Sequence, residues 1–182
     1  MTVATQPYIG TFVADSVHSS FLFTVTHMKI ARFSATFHDF DGRLVADEQG
    51  TRLEGAARVE SISITKPPEF RETVVNGAQF FDAQNYPEIT VRSDDLQFNA
   101  DGTVVARGEL TIKDVSKPVT ATGTYQPLVE DPFGGVRGGI ELGATVDRRD
   151  WNLNWQAPLP KGGNVLGWDV ELTVHLELVK ES

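Results

Sequence analysis

The fold is decided by the stretch His18-Ser19-Ser20-Phe21-Leu22-Phe23-Thr24-Val25-Thr26-His27. A period of two is typical of a β-strand with one buried face. The stretch is therefore predicted to be a strand, and its inward row is mostly apolar and ends in a histidine: Ser19, Phe21, Phe23, Val25 and His27.

The same alternation recurs along most of the chain. Turns of hairpin length join most of the alternating segments, for example Asn99-Ala100-Asp101-Gly102, and they favour antiparallel pairing. A longer period between the two regions of alternation predicts one short helical segment near residues 69–82. The other predicted strands cover residues 8–14, 33–37, 44–47, 53–59, 89–94, 104–112, 118–125, 136–146 and 166–178.

Two all-β architectures fit this pattern, a sandwich and a closed up-and-down barrel. The last strand would be about 45 Å long if residues 165–179 are all extended, which favours a tall barrel. We therefore expect a closed antiparallel barrel of about eight strands, formed by a single domain over residues 1–182 with residues 1–7 flexible.

The inward rows contain many small residues, and these leave two interpretations open. Either they surround an elongated apolar cavity, or large aromatic side chains such as Phe37 and Trp168 fill the space beside them. The small inward positions are Gly55, Ala57, Ala106, Gly108, Ala121, Gly123 and Gly138.

The composition of the chain argues against several classes of function. The 182 residues carry a formal charge of −9, which disfavours binding to nucleic acid or to an anionic membrane. The chain has no cysteine, which excludes disulfides and thiolate metal sites. No signal-peptide pattern and no long apolar run are visible, so a cytoplasmic location without stable membrane insertion is expected.

No catalytic or metal-binding motif is recognisable, so no catalytic residue, metal ligand or cofactor is predicted. The run Asp147-Arg148-Arg149-Asp150 is interpreted as a surface ion-pair network; contact of one of its arginines with a ligand head group is the alternative. His27 is interpreted as a buried neutral histidine at a barrel end, as a head-group contact or, least favoured, as a catalytic group.

The order of motifs resembles the YceI-like family, whose members are lipocalin-like barrels that bind polyisoprenoid lipids. The resemblance spans about residues 8–179. Family members often carry Arg-Asp and then His-Leu before a Phe-Phe-Asp segment, whereas this chain has Arg71-Glu72 and then Val74-Val75, so no role of that histidine is carried over. The resemblance is carried by residues 18–27, Asp39-Phe40-Asp41-Gly42, Phe80-Phe81-Asp82 with Tyr86-Pro87, Gly108-Glu109-Leu110-Thr111-Ile112, Ser116-Lys117-Pro118-Val119-Thr120 and Asp131-Pro132-Phe133-Gly134-Gly135.

The resemblance implies ligand binding rather than turnover. The expected ligand is a long isoprenoid lipid of the quinone or polyprenyl phosphate type, held in the cavity of a carrier, storage or sequestering protein. Head-group contacts are predicted for His27 and Arg71. The alternatives are an enzyme acting on a small hydrophobic or isoprenoid substrate and a ligand-free, stress-related barrel; a homodimer is left open. The predicted cavity wall consists of Phe21, Phe23, Val25, Phe37, Val91, Leu110, Val119 and Ile140.

Overall fold

The computed structural model describes residues 4–181, which form β-strands joined by short turns and one α-helix, α1 (Pro68–Asn76). Two 3₁₀ turns lie at Val59–Ser61 and Arg148–Trp151. Within the described range, no helix is long and apolar enough to cross a bilayer. The strands are β1 (Ala4–Thr5), β2 (Gly10–Ala14), β3 (Ser20–His27), β4 (Ala31–Phe37), β5 (Phe40–Asp47), β6 (Gly50–Arg58), β7 (Glu88–Asn99), β8 (Thr103–Ile112), β9 (Val115–Glu130), β10 (Val136–Asp147) and β11 (Leu166–Lys180).

The strands close into an antiparallel barrel, as predicted. Neighbours in the chain pair from β5 to β11, and β11 pairs on its other edge with β3 and, near its end, with β2. Because β2 and β3 run in the same direction along β11, they are two segments of one broken strand, and β4 and β5 form a second. The barrel thus has eight positions around its circumference.

Two predicted segments at the ends of the barrel differ in extent from the structure. The helical segment expected near residues 69–82 is a helix only over Pro68–Asn76, and hydrogen-bonded turns follow it. The short strand β1 pairs with β7 through Ala4 and Thr5. The predicted flexibility of residues 1–7 stays a prediction, and residues 1–3 lie outside the described residues.

One half of the barrel interior, here the closed half, is filled by side chains. Tyr8 and Phe12 are fully buried there, with their ring centroids 5.2 Å apart. The Tyr8 hydroxyl lies 2.8 Å from the carbonyl oxygen of Gln126 and 3.0 Å from that of Gly139, and it donates to this pair of acceptors. The buried cluster consists of Tyr8, Phe12, Leu44, Ala46, Leu53, Leu96, Phe98, Val104, Ala106, Ile140, Leu142, Leu176 and Leu178.

An ion-pair cluster connects the loops of the closed half. Arg137 donates to the carboxylates of Asp15 at 2.8 Å, Asp131 at 2.8 Å and Glu177 at 2.6 Å. The guanidinium group holds the pKa values of Asp15 and Asp131 below their usual range. The β2–β3 turn, the β9–β10 loop and the end of β11 are thereby joined through one side chain.

At three of the small inward residues, an added Cβ would overlap neighbouring atoms. A Cβ on Gly108 or Gly123 would overlap the carbonyl oxygen of Arg92 or Glu141, and a Cβ on Gly138 would lie 2.5 Å from the Tyr8 ring. These glycines permit the close approach of a neighbouring backbone or ring.

Replacing Gly123 by alanine is expected to destabilise the protein by about 2 kcal/mol or more, because the new Cβ overlaps the neighbouring backbone. Gly143→Ala is the matched control, since its Cβ would meet no atom closer than 3.7 Å. Urea unfolding of both variants measures the difference. Equal stability of the two variants would contradict this account of Gly123.

Burial raises the pKa of Tyr8 to about 12. Its folded pKa is above the unfolded value of about 10, so its contribution to stability is complete below pH 10 and is lost as the pH rises towards 12. At pH 7, Tyr8→Phe is expected to cost about 1 kcal/mol through the lost hydrogen bond. Urea midpoints should show this deficit shrinking above pH 10; a deficit independent of pH would refute the assignment.

Candidate functional site

The other half of the barrel, here the open half, contains a cavity of about 440 Å³, which we call the outer cavity. Its wall is almost entirely apolar, with seven phenylalanines and two tryptophans. A volume of this size is typical of a small-molecule site. The wall consists of Phe21, Phe23, Val25, His27, Ala31, Arg32, Phe33, Phe37, Phe70, Val74, Phe80, Phe81, Ile89, Leu110, Ile112, Val146, Arg148, Trp151, Leu153, Trp155, Val165, Leu166, Val170 and Leu172.

Strand alternation and the helical connection build this aromatic wall together. On β3, the period of two points Phe21 and Phe23 inward, and Phe21 stacks on Phe37 of β4 with centroids 5.3 Å apart. The connection between β6 and β7 places Phe81 edge-on against Phe23, at 6.2 Å. Helix α1 contributes Phe70 to the same wall. The helix therefore holds part of the wall and covers this half of the barrel.

A second, smaller space of about 130 Å³, the inner cavity, continues towards the closed half. Its wall includes several of the small residues that the sequence predicted to face inward, such as Gly55, Ala57, Ala106 and Ala121. The two cavities are adjacent, because they share four wall residues. The shared residues are Phe21, Ile89, Leu110 and Leu172.

The outer cavity opens at the barrel end that carries the β3–β4 turn. The exposed members of its wall are His27, Ala31, Arg32 and Phe70, and they lie at the end of β3, at the start of β4 and on α1. The deeper wall residues, such as Phe37, are buried. We call the exposed group the mouth; a ligand that enters there meets apolar side chains further in.

Arg148 is the buried cation of the outer cavity, with only 4% of its surface exposed. Its Nε donates to the Gly167 carbonyl at 2.8 Å, and its Nη atoms donate to the carbonyls of Leu153 and Leu166. The guanidinium carbon also lies 4.3 Å from the ring centroid of Trp168, within cation–π distance. Burial lowers the pKa of Arg148 to about 10, so the group remains charged at pH 7.

Residues 12–178 match the YceI-like domain. The chain belongs to the YceI-like family.

A UPF0312 protein of Yersinia enterocolitica is 27% identical over 140 residues, which are 76% of this chain and 72% of that relative. Among solved structures, Burkholderia cenocepacia BcnA superposes with a TM-score of 0.71 at 19% identity, over 92% of this chain and 99% of BcnA. A polyisoprenoid binding domain from Saccharophagus degradans superposes with a TM-score of 0.69 at 12% identity, over 96% of this chain and all of that domain (100%). Both solved structures share the barrel fold found here.

The YceI-like barrel brings most of the predicted wall residues together, although their part in binding stays a prediction. Most of them line the outer cavity: Phe21, Phe23, Val25, Phe37 and Leu110. Val91 and Val119 line the inner cavity instead, and Val91 is 39% exposed although its strand position had been predicted to face inward. Ile140 is in neither wall, because it is packed into the filled cluster of the closed half with 1% exposure.

The two predicted head-group residues lie in different places. His27 is part of the mouth and exposed, so the expectation of a buried histidine is wrong; the strand ends there and its inward row reaches solvent. Arg71 lies outside both cavity walls and donates to the carboxylate of Glu60 at 2.8 Å. The helical period explains this position, because Phe70 and Val74 use the cavity-facing side of α1.

The surface interpretation of residues 147–150 is correct for Arg149 and wrong for Arg148. The alternative, contact of one of these arginines with a head group, stays a prediction. Arg149 is exposed and pairs with Asp147, with Nε 2.9 Å from the carboxylate. The signal was present in the sequence: Arg148 continues the inward row of β10, two residues after Val146. Phe33, Trp151 and Trp155 were also missed as wall residues.

Filling the inner cavity should stabilise the unliganded protein. Ala121 borders that space, so Ala121→Val is expected to raise the free energy of unfolding by about 1 kcal/mol. Ala35 is buried but lines neither cavity, and Ala35→Val should lower it by about 1–3 kcal/mol through overpacking. Chemical denaturation compares the two variants; destabilisation by both would argue against an empty inner cavity.

Proposed function

We propose that this protein binds an isoprenoid lipid in its barrel, with the tail in the outer and inner cavities, and acts as a carrier, storage or sequestering protein. One observation carries the proposal: an aromatic-walled cavity of about 440 Å³ opens at one barrel end and is continued inward by a second apolar space. An elongated apolar space of this kind suits a chain-like ligand better than a compact polar one.

The affinity would come mainly from burial of the tail. Each buried methylene contributes about 0.8 kcal/mol, so a chain of a few isoprene units gains much of its affinity without polar contacts. Phenylalanine and tryptophan rings add adaptable, flat surfaces against the branched chain. The polyisoprenoid binding domain of Saccharophagus degradans, which has the same fold, supports the isoprenoid class for this chain.

Binding without catalysis is the favoured activity. Among the described residues, the polar side chains of the outer cavity wall are those of His27, Arg32 and Arg148, and none of the wall residues has a carboxylate or a hydroxyl nucleophile. Arg32 is engaged with the Glu171 carboxylate, with Nη1 2.8 Å from Oε1. The proposal includes a cytoplasmic location, and a homodimer is kept as a prediction.

Titration of the lipid-free protein with geraniol, farnesol and geranylgeraniol tests the proposal. Affinity is expected to rise about tenfold or more with each added isoprene unit, because each unit buries further apolar surface. Tryptophan fluorescence provides the signal, since Trp151 and Trp155 belong to the wall. The absence of binding by all three alcohols would refute the proposed function.

Leu172→Trp should separate the two cavities, because Leu172 belongs to both walls at their junction. This variant is expected to bind geraniol within about threefold of the wild type but to lose about tenfold or more for geranylgeraniol. Thr173→Trp, at the next position of β11 and in neither wall, is the matched control. An unchanged chain-length dependence in Leu172→Trp would show that the tail does not pass this junction.

A further inference from the structure

The outer cavity contains a charge that forms no ion pair within the described part of the chain. Arg148 is buried, and none of the described carboxylates forms an ion pair with it. The adjacent carboxylate of Asp147 is bound to Arg149 instead. A buried cation without an anionic partner is costly, and three backbone carbonyls offset only part of that cost.

The guanidinium group also has unused hydrogen-bonding capacity. Of its five N–H groups, three donate to the carbonyls of Gly167, Leu153 and Leu166, so two have no acceptor in the described part of the chain. The two remaining N–H groups, one on each Nη atom, can donate to the oxygens of a phosphate or carboxylate. The carbonyl contacts and the Trp168 ring hold the guanidinium fork in one position, which reduces the ordering cost of binding.

The position of Arg148 suits a head group rather than a tail. Its Nη2 reaches the carbonyl of Leu166, and Leu166 is the β11 residue paired with His27 of the mouth. Arg148 therefore lies at the mouth end of the outer cavity, and the inner cavity extends away from it. An amphiphile with its head at Arg148 would place its tail along the apolar space.

We propose that Arg148 determines head-group specificity and that the preferred ligand is an amphiphile with an anionic oxygen head, such as a prenyl phosphate, rather than a neutral lipid. This inference rests on the proposed function. It adds a charge requirement that an apolar cavity alone does not impose. Water is largely excluded around Arg148, so an anionic head gains more from this contact than it would at an exposed arginine.

The experiment compares geranylgeranyl monophosphate with geranylgeraniol, which have the same tail. The wild type is expected to bind the phosphate about 10-fold to 100-fold more tightly than the alcohol, the range for hydrogen bonds to a charged group. Arg148→Met should lower the phosphate affinity until the two lipids bind about equally, while the alcohol affinity stays within about threefold. Arg148→Lys should retain part of the preference, because it keeps the charge and loses the fork.

Arg149→Met is the matched control. It removes the same charge one residue away, also beside the Trp168 ring at 4.8 Å, but from an exposed side chain, and it should keep the wild-type ratio. Equal binding of both lipids by the wild type, or a wild-type ratio in Arg148→Met, would overturn the inference and leave the proposed function standing. Failure of the wild type to bind either lipid would instead refute the proposed function. If Arg148→Met does not fold, the wild-type ratio and Arg148→Lys still decide.

Discussion

The structure depends on the pairing of its last strand, because β11 closes the barrel. One edge of β11 pairs with β10 from Asp169 to Val179, and the other edge pairs with β3 and then with β2. Most strands of the wall thereby gain two neighbours, although β4 pairs only with β3. The same closure fixes an interior of limited width, in which each half must be either filled or left as a cavity.

The two halves of that interior are packed differently. In the closed half, the interior is filled in part by Tyr8, which belongs to the segment between β1 and β2. Tyr8 packs against Gly138, where an added Cβ would lie 2.5 Å from its ring. In the open half, α1 and the following turns cover the barrel with Phe70 and Phe81, and the space beneath them remains open. An empty apolar cavity lowers the stability of a folded protein, because its wall atoms lack packing contacts. The well-packed closed half provides stability that offsets this loss in the open half.

The strand architecture was largely predictable from the sequence, because alternation is a local property. The aromatic row of β3, the long last strand and the up-and-down order all follow from side chains that point to opposite faces in turn. Five of the eight predicted wall residues line the outer cavity for the same reason. Arg148 follows the same alternation, two residues after Val146, although its charge alone would suggest a position on the surface.

What the sequence by itself determined is therefore which side of each strand faces inward, since the period of two is set by the backbone. Only the tertiary structure decided which inward residues meet a cavity and which meet a packed core. Ile140 and Leu110 both face inward, yet Ile140 is packed in the closed half and Leu110 borders both cavities. That difference depends on side chains from strands and loops far apart in the chain, such as Tyr8 and Trp151, and local periodicity carries no information about where such residues meet.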